Sequence, residues 1–271
     1  MNALRLAPSS ARSWFPWTSE HAHCKCADGG GCAAVVLAGA SRQPPTSQLP
    51  DVAAYGLIWQ QQHHAPDVDP THGLVGAFLR LTYALAAPLA RIGIRPDVLT
   101  LFGLWLAGVA VVAARTGQHW PLLAALAVVI SALTDGVDGC VAGLTMRASQ
   151  RGYVLDSMVD RMSDVLFVVA LVVAAGGSRS TYWAGMTAVG ALMMLEYLRA
   201  RAGNAGQGEV GVVTVGERPT RVIAATLGLA AIGARPSSAA VIATGSLMVM
   251  AGAGAAGFIQ LAWHLGRTLD R

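Results

Sequence analysis

The chain has 271 residues, of which 54% are hydrophobic, 6% aromatic and 13% charged. A soluble domain of this size carries about a quarter charged residues, so this deficit, with a mean hydropathy of +0.50, excludes an ordinary soluble chain and places it among membrane proteins. The net charge of +4 does not point to nucleic acid, because all the cations but one are arginine and most lie between apolar runs, where the positive-inside rule puts them.

Residues 1–70 hold Pro, Ser, His and Gln with little periodicity and read as one poorly ordered N-terminal extension, with the membrane domain at 71–271. No secretory signal is expected in the extension, since its first twenty residues lack an apolar core. Deletion of 1–68 is expected to leave activity unchanged. Cys24, Cys26 and Cys32, beside His21 and His23, have no paired C-x2-C partner, which favours a Gly-rich leader over a metal knuckle. Cys140 reads as a small apolar filler.

From residue 73 the pattern changes. "GLVGAFLRLTYALAAPLARIGIRP" (73–96) has apolar positions at helical spacing with Arg80 and Arg91 among them. It predicts an amphipathic helix in the membrane interface, stopped by Pro88 and the Gly93–Pro96 turn. Six apolar segments follow, at about 98–114, 119–134, 158–176, 181–198, 221–234 and 238–263. Several fall short of the ~20 residues a span prefers. Carrying the second through to about Ala142, and starting the third near Tyr153, brings both to full length. The fold class is therefore all-α, an integral membrane protein with six transmembrane helices behind one interfacial helix. Three connections on one side hold Arg115, Arg179 and Arg235, while twelve arginines after residue 70 gather on the other. That side and both termini are read as cytoplasmic.

The connection between the second and third spans carries "DGVDGCVAGLTMRASQRGYVLDSMVD". Asp135 and Asp138 are three apart at the end of one helix, and Asp156 and Asp160 four apart at the start of the next, so each pair shares a helix face. A short connection makes the two helices antiparallel neighbours. Four converging carboxylates repel unless neutralised, and hard divalent cations such as Mg²⁺ or Mn²⁺ do this through oxygen ligands. Two ions bridged by shared carboxylates are the arrangement of two-metal phosphoryl-transfer sites. Gly136, Gly139 and Gly143, with Ala142, clear bulk from the helix end, and Arg147 and Arg151 offer cations to phosphate oxygens. Asp164 continues the same face and reads as a partner of these groups or of an arginine.

These residues, Asp135-x2-Asp138-Gly139-x2-Ala142 through Gly152 to Asp156-x3-Asp160, resemble the signature of the CDP-alcohol phosphotransferase family of phospholipid synthesis. "RPDVLTLFG" (95–103) is similar to that family's approach to its first span. The resemblance implies six transmembrane helices and a homodimer in a cell inner (plasma) membrane, with the site on the cytoplasmic side. It implies that Asp135, Asp138, Asp156 and Asp160 bind the two metals and that Asp160 is also the general base. Gly139 and Ala142 would lie against the cytidine, with Ser149 near the nucleotide. At Gly143 the family keeps an arginine that helps hold the pyrophosphate, and Arg147 is the substitute one turn on. The implied donor is CDP-diacylglycerol, with membrane lipids as surroundings and no nucleic acid as partner.

The acceptor is read from a second cluster, "EYLRARAGNAGQGEVGVVTVGERPTR" (196–221). Arg199, Arg201, Arg218 and Arg221 exceed what membrane anchoring needs and suit a phosphate on the acceptor alcohol. Glu217 would orient or pair with one of them. "YLRARA" followed by "ERPTR" looks like the branch that uses inositol phosphate; glycerol 3-phosphate is the rival acceptor. Two readings compete with the enzyme: a cation-coupled transporter, which would put its acids near mid-span, and an inactive member of the family, to which Gly143 draws attention.

Overall fold

A computed structural model of the chain describes residues 49–62, 69–204 and 214–268. The cysteine and histidine cluster at 21–32 lies outside the described residues. Among those described, all regular structure is helical: α1 (Val52–Gln62), α2 (Gly73–Arg91), α3 (Pro96–Arg115), α4 (Pro121–Leu144), α5 (Gln150–Ala174), α6 (Arg179–Asn204), α7 (Arg218–Ala234) and α8 (Ala239–Thr268), with a 3₁₀ turn at Pro236–Ser238 before α8.

The helix ends follow local chemistry. Prolines at the first or second position open α3, α4 and α7, where a missing N–H costs nothing. The Ser149 side chain caps α5 by accepting from the Gly152 amide at 3.0 Å. Gly93 after α2, and Gly176 and Gly177 after α5, take positive φ, which glycine adopts without a Cβ penalty. Two sequence expectations fail here. Helix α2 runs through Pro88 to Arg91, because a proline in the last turn removes only one ladder bond. Residues 52–62, read as part of a poorly ordered extension, form α1.

Among the described residues, four helices are long and apolar enough to cross a membrane: Gly73–Arg91, Pro96–Arg115, Pro121–Leu144 and the segment Pro236–Thr268. The chain is a multi-pass membrane protein. Helix α2, expected in the interface, is among the four. Helices α5 and α6 interrupt their apolar runs with acids and arginines, and α7 has only 17 residues.

Packing relies on small residues, as it does where lipid leaves little hydrophobic force between helices. Helix α3 lies against α4 and α5, α4 against α7, and α8 against α6 and α7. One core gathers Ala110, Val128, Phe167, Leu171, Leu229 and Leu247. At Gly254 an added Cβ would come within 3.1 Å of the backbone at Ala191 and Leu192, so α8 presses directly on α6. A second core joins Tyr55 of α1, Leu79 and Ala86 of α2, and Leu99 of α3 to Val137, Cys140, Val141 and Leu144 of α4. Cys140 is a buried free thiol in this core. Helix α3, packed against both α4 and α5, brings their acidic ends together.

Candidate active site

The four aspartates occupy helix ends, as their spacing predicts: Asp135 and Asp138 on the last turns of α4, Asp156 and Asp160 near the start of α5. Carboxylate oxygens of Asp135, Asp156 and Asp160 lie within 4.8 Å of one another, close enough to hold a metal ion. Asp138 stands outside this triad. It is buried, and its Oδ2 accepts from the Thr100 hydroxyl of α3 at 2.5 Å. Thr100 falls within the 95–103 stretch, but nothing in the sequence showed that it reaches across to Asp138.

Two observations test whether these residues suit a cation. Asp156 Oδ1 is buried without a hydrogen-bond partner, a costly state for a carboxylate oxygen that an ion would satisfy. Beside the triad, a cavity of about 10 Å³ lined by Thr100, Ser131, Asp135, Asp138, Ser163 and Arg218, but not by Asp156 or Asp160, leaves room for about one water. The donors are all oxygens, the set that Mg²⁺ and Mn²⁺ take. The residues fit the ion.

The glycines of the motif divide by face. At Gly136 an added Cβ would meet the Phe78 ring at 2.7 Å and the Thr82 methyl at 3.0 Å, so this glycine admits α2 to the back of α4. It does not clear space for a substrate, as its place in the motif suggested. Gly139 is exposed with nothing near an added Cβ, on the open side. Ala142 is half-buried and Gly143 is buried. Arg147 is exposed, with its Nη1 3.5 Å from the Gly93 carbonyl, and Ser149 is exposed at the α5 cap.

The arginines turn out unequal. Arg218 pairs with both Asp135 and Asp160, bridging α7 to the metal triad. Arg199 makes a two-pronged bond to Glu217, at 3.0 and 2.7 Å. Burial pushes the Glu217 carboxyl up, but the bonds from Arg199 and from the Thr214 amide outweigh it and hold it below the ordinary glutamate range. Arg201 is exposed. Arg221 departs from the expectation of a substrate-facing group. It is 1% exposed, pairs with Asp164 and Glu196, and donates from Nε to the Gly216 carbonyl at 2.8 Å. A guanidinium fully engaged in the interior ties α7 to α5 and α6 and has no free edge for a ligand. Asp164 is thus the arginine partner its spacing allowed. Arg161, given no role from the sequence, lies 2.6 Å from Glu196 and 3.6 Å from Asp160.

Helices apolar enough to cross a membrane, with three carboxylates close enough to hold a metal ion and arginines beside them, suit a membrane-embedded enzyme. The CDP-alcohol phosphatidyltransferase family model matches residues 94–256, and the chain belongs to that family; it is a transferase. It is 34% identical to an archaetidylinositol phosphate synthase of Pyrococcus horikoshii over 143 residues, 51% of this chain and 72% of that protein. It is 32% identical to a phosphatidylinositol phosphate synthase of Mycobacterium marinum, over 69% of this chain and 70% of that one. Among solved structures, the phosphatidylinositol phosphate synthase of Mycobacterium tuberculosis with CDP-DAG bound superposes with a TM-score of 0.55 at 26% identity, over 68% of this chain and 92% of that one. The same enzyme in complex with manganese and citrate gives 0.57 at 26% identity, over 69% and 89%.

Proposed function

We propose that this protein transfers the phosphatidyl group of CDP-diacylglycerol to the hydroxyl of inositol phosphate, releasing CMP. The convergence of Asp135, Asp156 and Asp160, with Arg218 beside them, carries the reading. The names of the relatives and the CDP-DAG and manganese held by the structural neighbour support it.

Asp135, Asp138, Asp156 and Asp160 hold two Mg²⁺ or Mn²⁺ ions, with Asp138 steadied by Thr100. When bound, the ions supply charge that offsets the diphosphate and the departing CMP oxygen. Asp160 takes the proton from the acceptor hydroxyl as its oxygen bonds to the β-phosphorus, and the bond from that phosphorus to the CMP oxygen breaks. The open face at Gly139 and Ala142 receives the cytidine, with Gly143, Arg147 and Ser149 along the nucleotide. Arg218, Arg199 and the exposed Arg201 meet the acceptor's phosphate, while Arg221 ties α7 to α5 and α6.

The same reading assigns residues 71–271 to a catalytic membrane domain with six spans, α3 to α8, and takes α2 as the helix at the cytoplasmic interface. The protein sits in the inner membrane as a homodimer with its site facing the cytoplasm. The gathering of acids at one end of the bundle counts against a mid-span ion pathway.

An acceptor screen with the purified protein, CDP-diacylglycerol and Mn²⁺ tests the assignment. Inositol phosphate is expected to drive CMP release, with free inositol at least about tenfold less effective, because a site that pairs a phosphate penalises its absence; glycerol 3-phosphate, which keeps the phosphate but lacks the ring hydroxyls, is expected to be the poorer of the two phosphorylated acceptors. Equal rates with glycerol 3-phosphate would overturn the choice of acceptor, and acceptor-independent hydrolysis would overturn the transfer.

A further inference from the structure

Helix α1 precedes the residues that the family model matches, and none of the roles above falls on it. It is nevertheless fastened at several points. Asp51 Oδ1 accepts from the Ala54 amide at 2.8 Å, capping the helix start. The Tyr83 hydroxyl of α2 donates to the Pro50 carbonyl at 2.9 Å. Gly56 lets the Pro70 ring approach, since an added Cβ there would meet it at 3.0 Å. Tyr55 is 3% exposed, its ring 6.2 Å from that of Tyr83, and it lies in one core with Cys140.

The position of Cys140 gives these contacts their meaning. An α-helix turns about 100° per residue, which places Asp135, Asp138, Gly139 and Ala142 on one side of α4. Gly136, Val137, Cys140, Val141 and Leu144 then fall on the other. The second group is the face that α1 and α2 cover, with Tyr55 in the same core as Val137, Cys140, Val141 and Leu144, and Phe78 and Thr82 closing on Gly136. Rotation or sliding of this end of α4 would carry Asp135 and Asp138 away from Asp156 and Asp160, so whatever fixes the back face sets the carboxylate geometry in front.

We infer that α1 is a strut for the metal site: through Tyr55 it fixes the height and rotation of the acidic end of α4, so that ion affinity depends on a helix outside the matched residues. The inference rests on the reading of the aspartates as metal ligands. Tyr55 is a positioning residue, acting through Cys140 and the α4 backbone. It also reverses the expectation that residues 1–68 are dispensable.

The test is Mn²⁺ binding by isothermal titration calorimetry to the full chain in lipid nanodiscs, with thermal unfolding of each variant in parallel. Tyr55→Ala is expected to weaken Mn²⁺ binding about tenfold, the scale for groups that orient a metal's ligands, and Tyr55→Phe by no more than about threefold, since the ring still packs. Leu247→Ala, in the other core, serves as the destabilised control and is expected to unfold earlier with unchanged Mn²⁺ affinity. If Tyr55→Ala does not fold, Tyr55→Leu keeps much of the volume and is expected to fall between the other two. Wild-type affinity in Tyr55→Ala or Tyr55→Leu overturns the strut, as does an equal loss in Leu247→Ala. Asp160→Asn separates the underlying reading: if it binds Mn²⁺ as the wild type does, the metal assignment fails first.

Discussion

Asp160→Asn is expected to lower acceptor-dependent CMP release by about a thousandfold at saturating Mn²⁺, within the range a general base contributes. Asparagine keeps the size of the side chain and can still accept from Arg218, but it cannot take a proton. On the proposed mechanism Asp160 differs from its neighbours in having two roles, metal ligand and general base. Asp156→Asn removes a ligand only, so its loss of rate is expected to recover in large part as Mn²⁺ is raised, whereas the loss in Asp160→Asn persists at any metal concentration. Rates measured across a Mn²⁺ titration decide the matter. Full recovery of Asp160→Asn in excess metal would reduce it to a ligand and leave the proton without an acceptor.

The second large effect concerns the order in which ligands bind. Around the site Asp135, Asp138, Asp156, Asp160, Asp164 and Glu196 face Arg161, Arg218 and Arg221, while Arg199 is matched by Glu217. Carboxylates outnumber guanidiniums, and the arginine nearest the triad is held by two of them. An anionic acceptor therefore meets net negative charge until cations arrive. On the proposed mechanism metal binding would reverse the sign and free Arg218 for the phosphate. Binding of inositol phosphate is expected to tighten by at least about tenfold on adding Mn²⁺, about 1.4 kcal/mol, and Arg218→Ala is expected to abolish most of that gain. Calorimetry with and without EDTA measures it directly. Equal affinity in both conditions would show that the acceptor does not depend on the metal for its place.

Much of this site could be read from spacing. Intervals of three and four residues put each pair of aspartates on one face whatever the rest of the chain did. The need for full-length spans placed the ends of α4 and α5 within a few residues of Leu144 and Gln150. What spacing cannot report is which groups meet across helices. Thr100 and Asp138 are 38 residues apart, and their bond exists only because α3 packs on α4. Gly136 and Gly139 look equivalent in the motif, yet one faces α2 and the other open space, a difference made by the neighbour. Arg218 and Arg221 are likewise one turn apart, and the packing of α7 among α4, α5 and α8 sends one to the triad and the other into the interior. Helix α1 was missed because its apolar residues are spread around its circumference and leave no single apolar face; its order comes from Tyr55 and the surfaces of α2 and α4.

Helix α8 has 30 residues, which at 1.5 Å each makes it about 45 Å long. The hydrocarbon layer is only about 30 Å thick, so α8 must lean or stand its last turns among the headgroups, where Trp263 stacked on Arg267 makes an apt float. Helix α6, pressed against it at Gly254, has to share any lean, and α6 carries Glu196 and Arg199. Bilayer thickness thereby becomes a mechanical input to the arginine end of the site. Turnover in vesicles of graded acyl-chain length is expected to pass through an optimum; a flat profile would show that α8 takes up the mismatch alone.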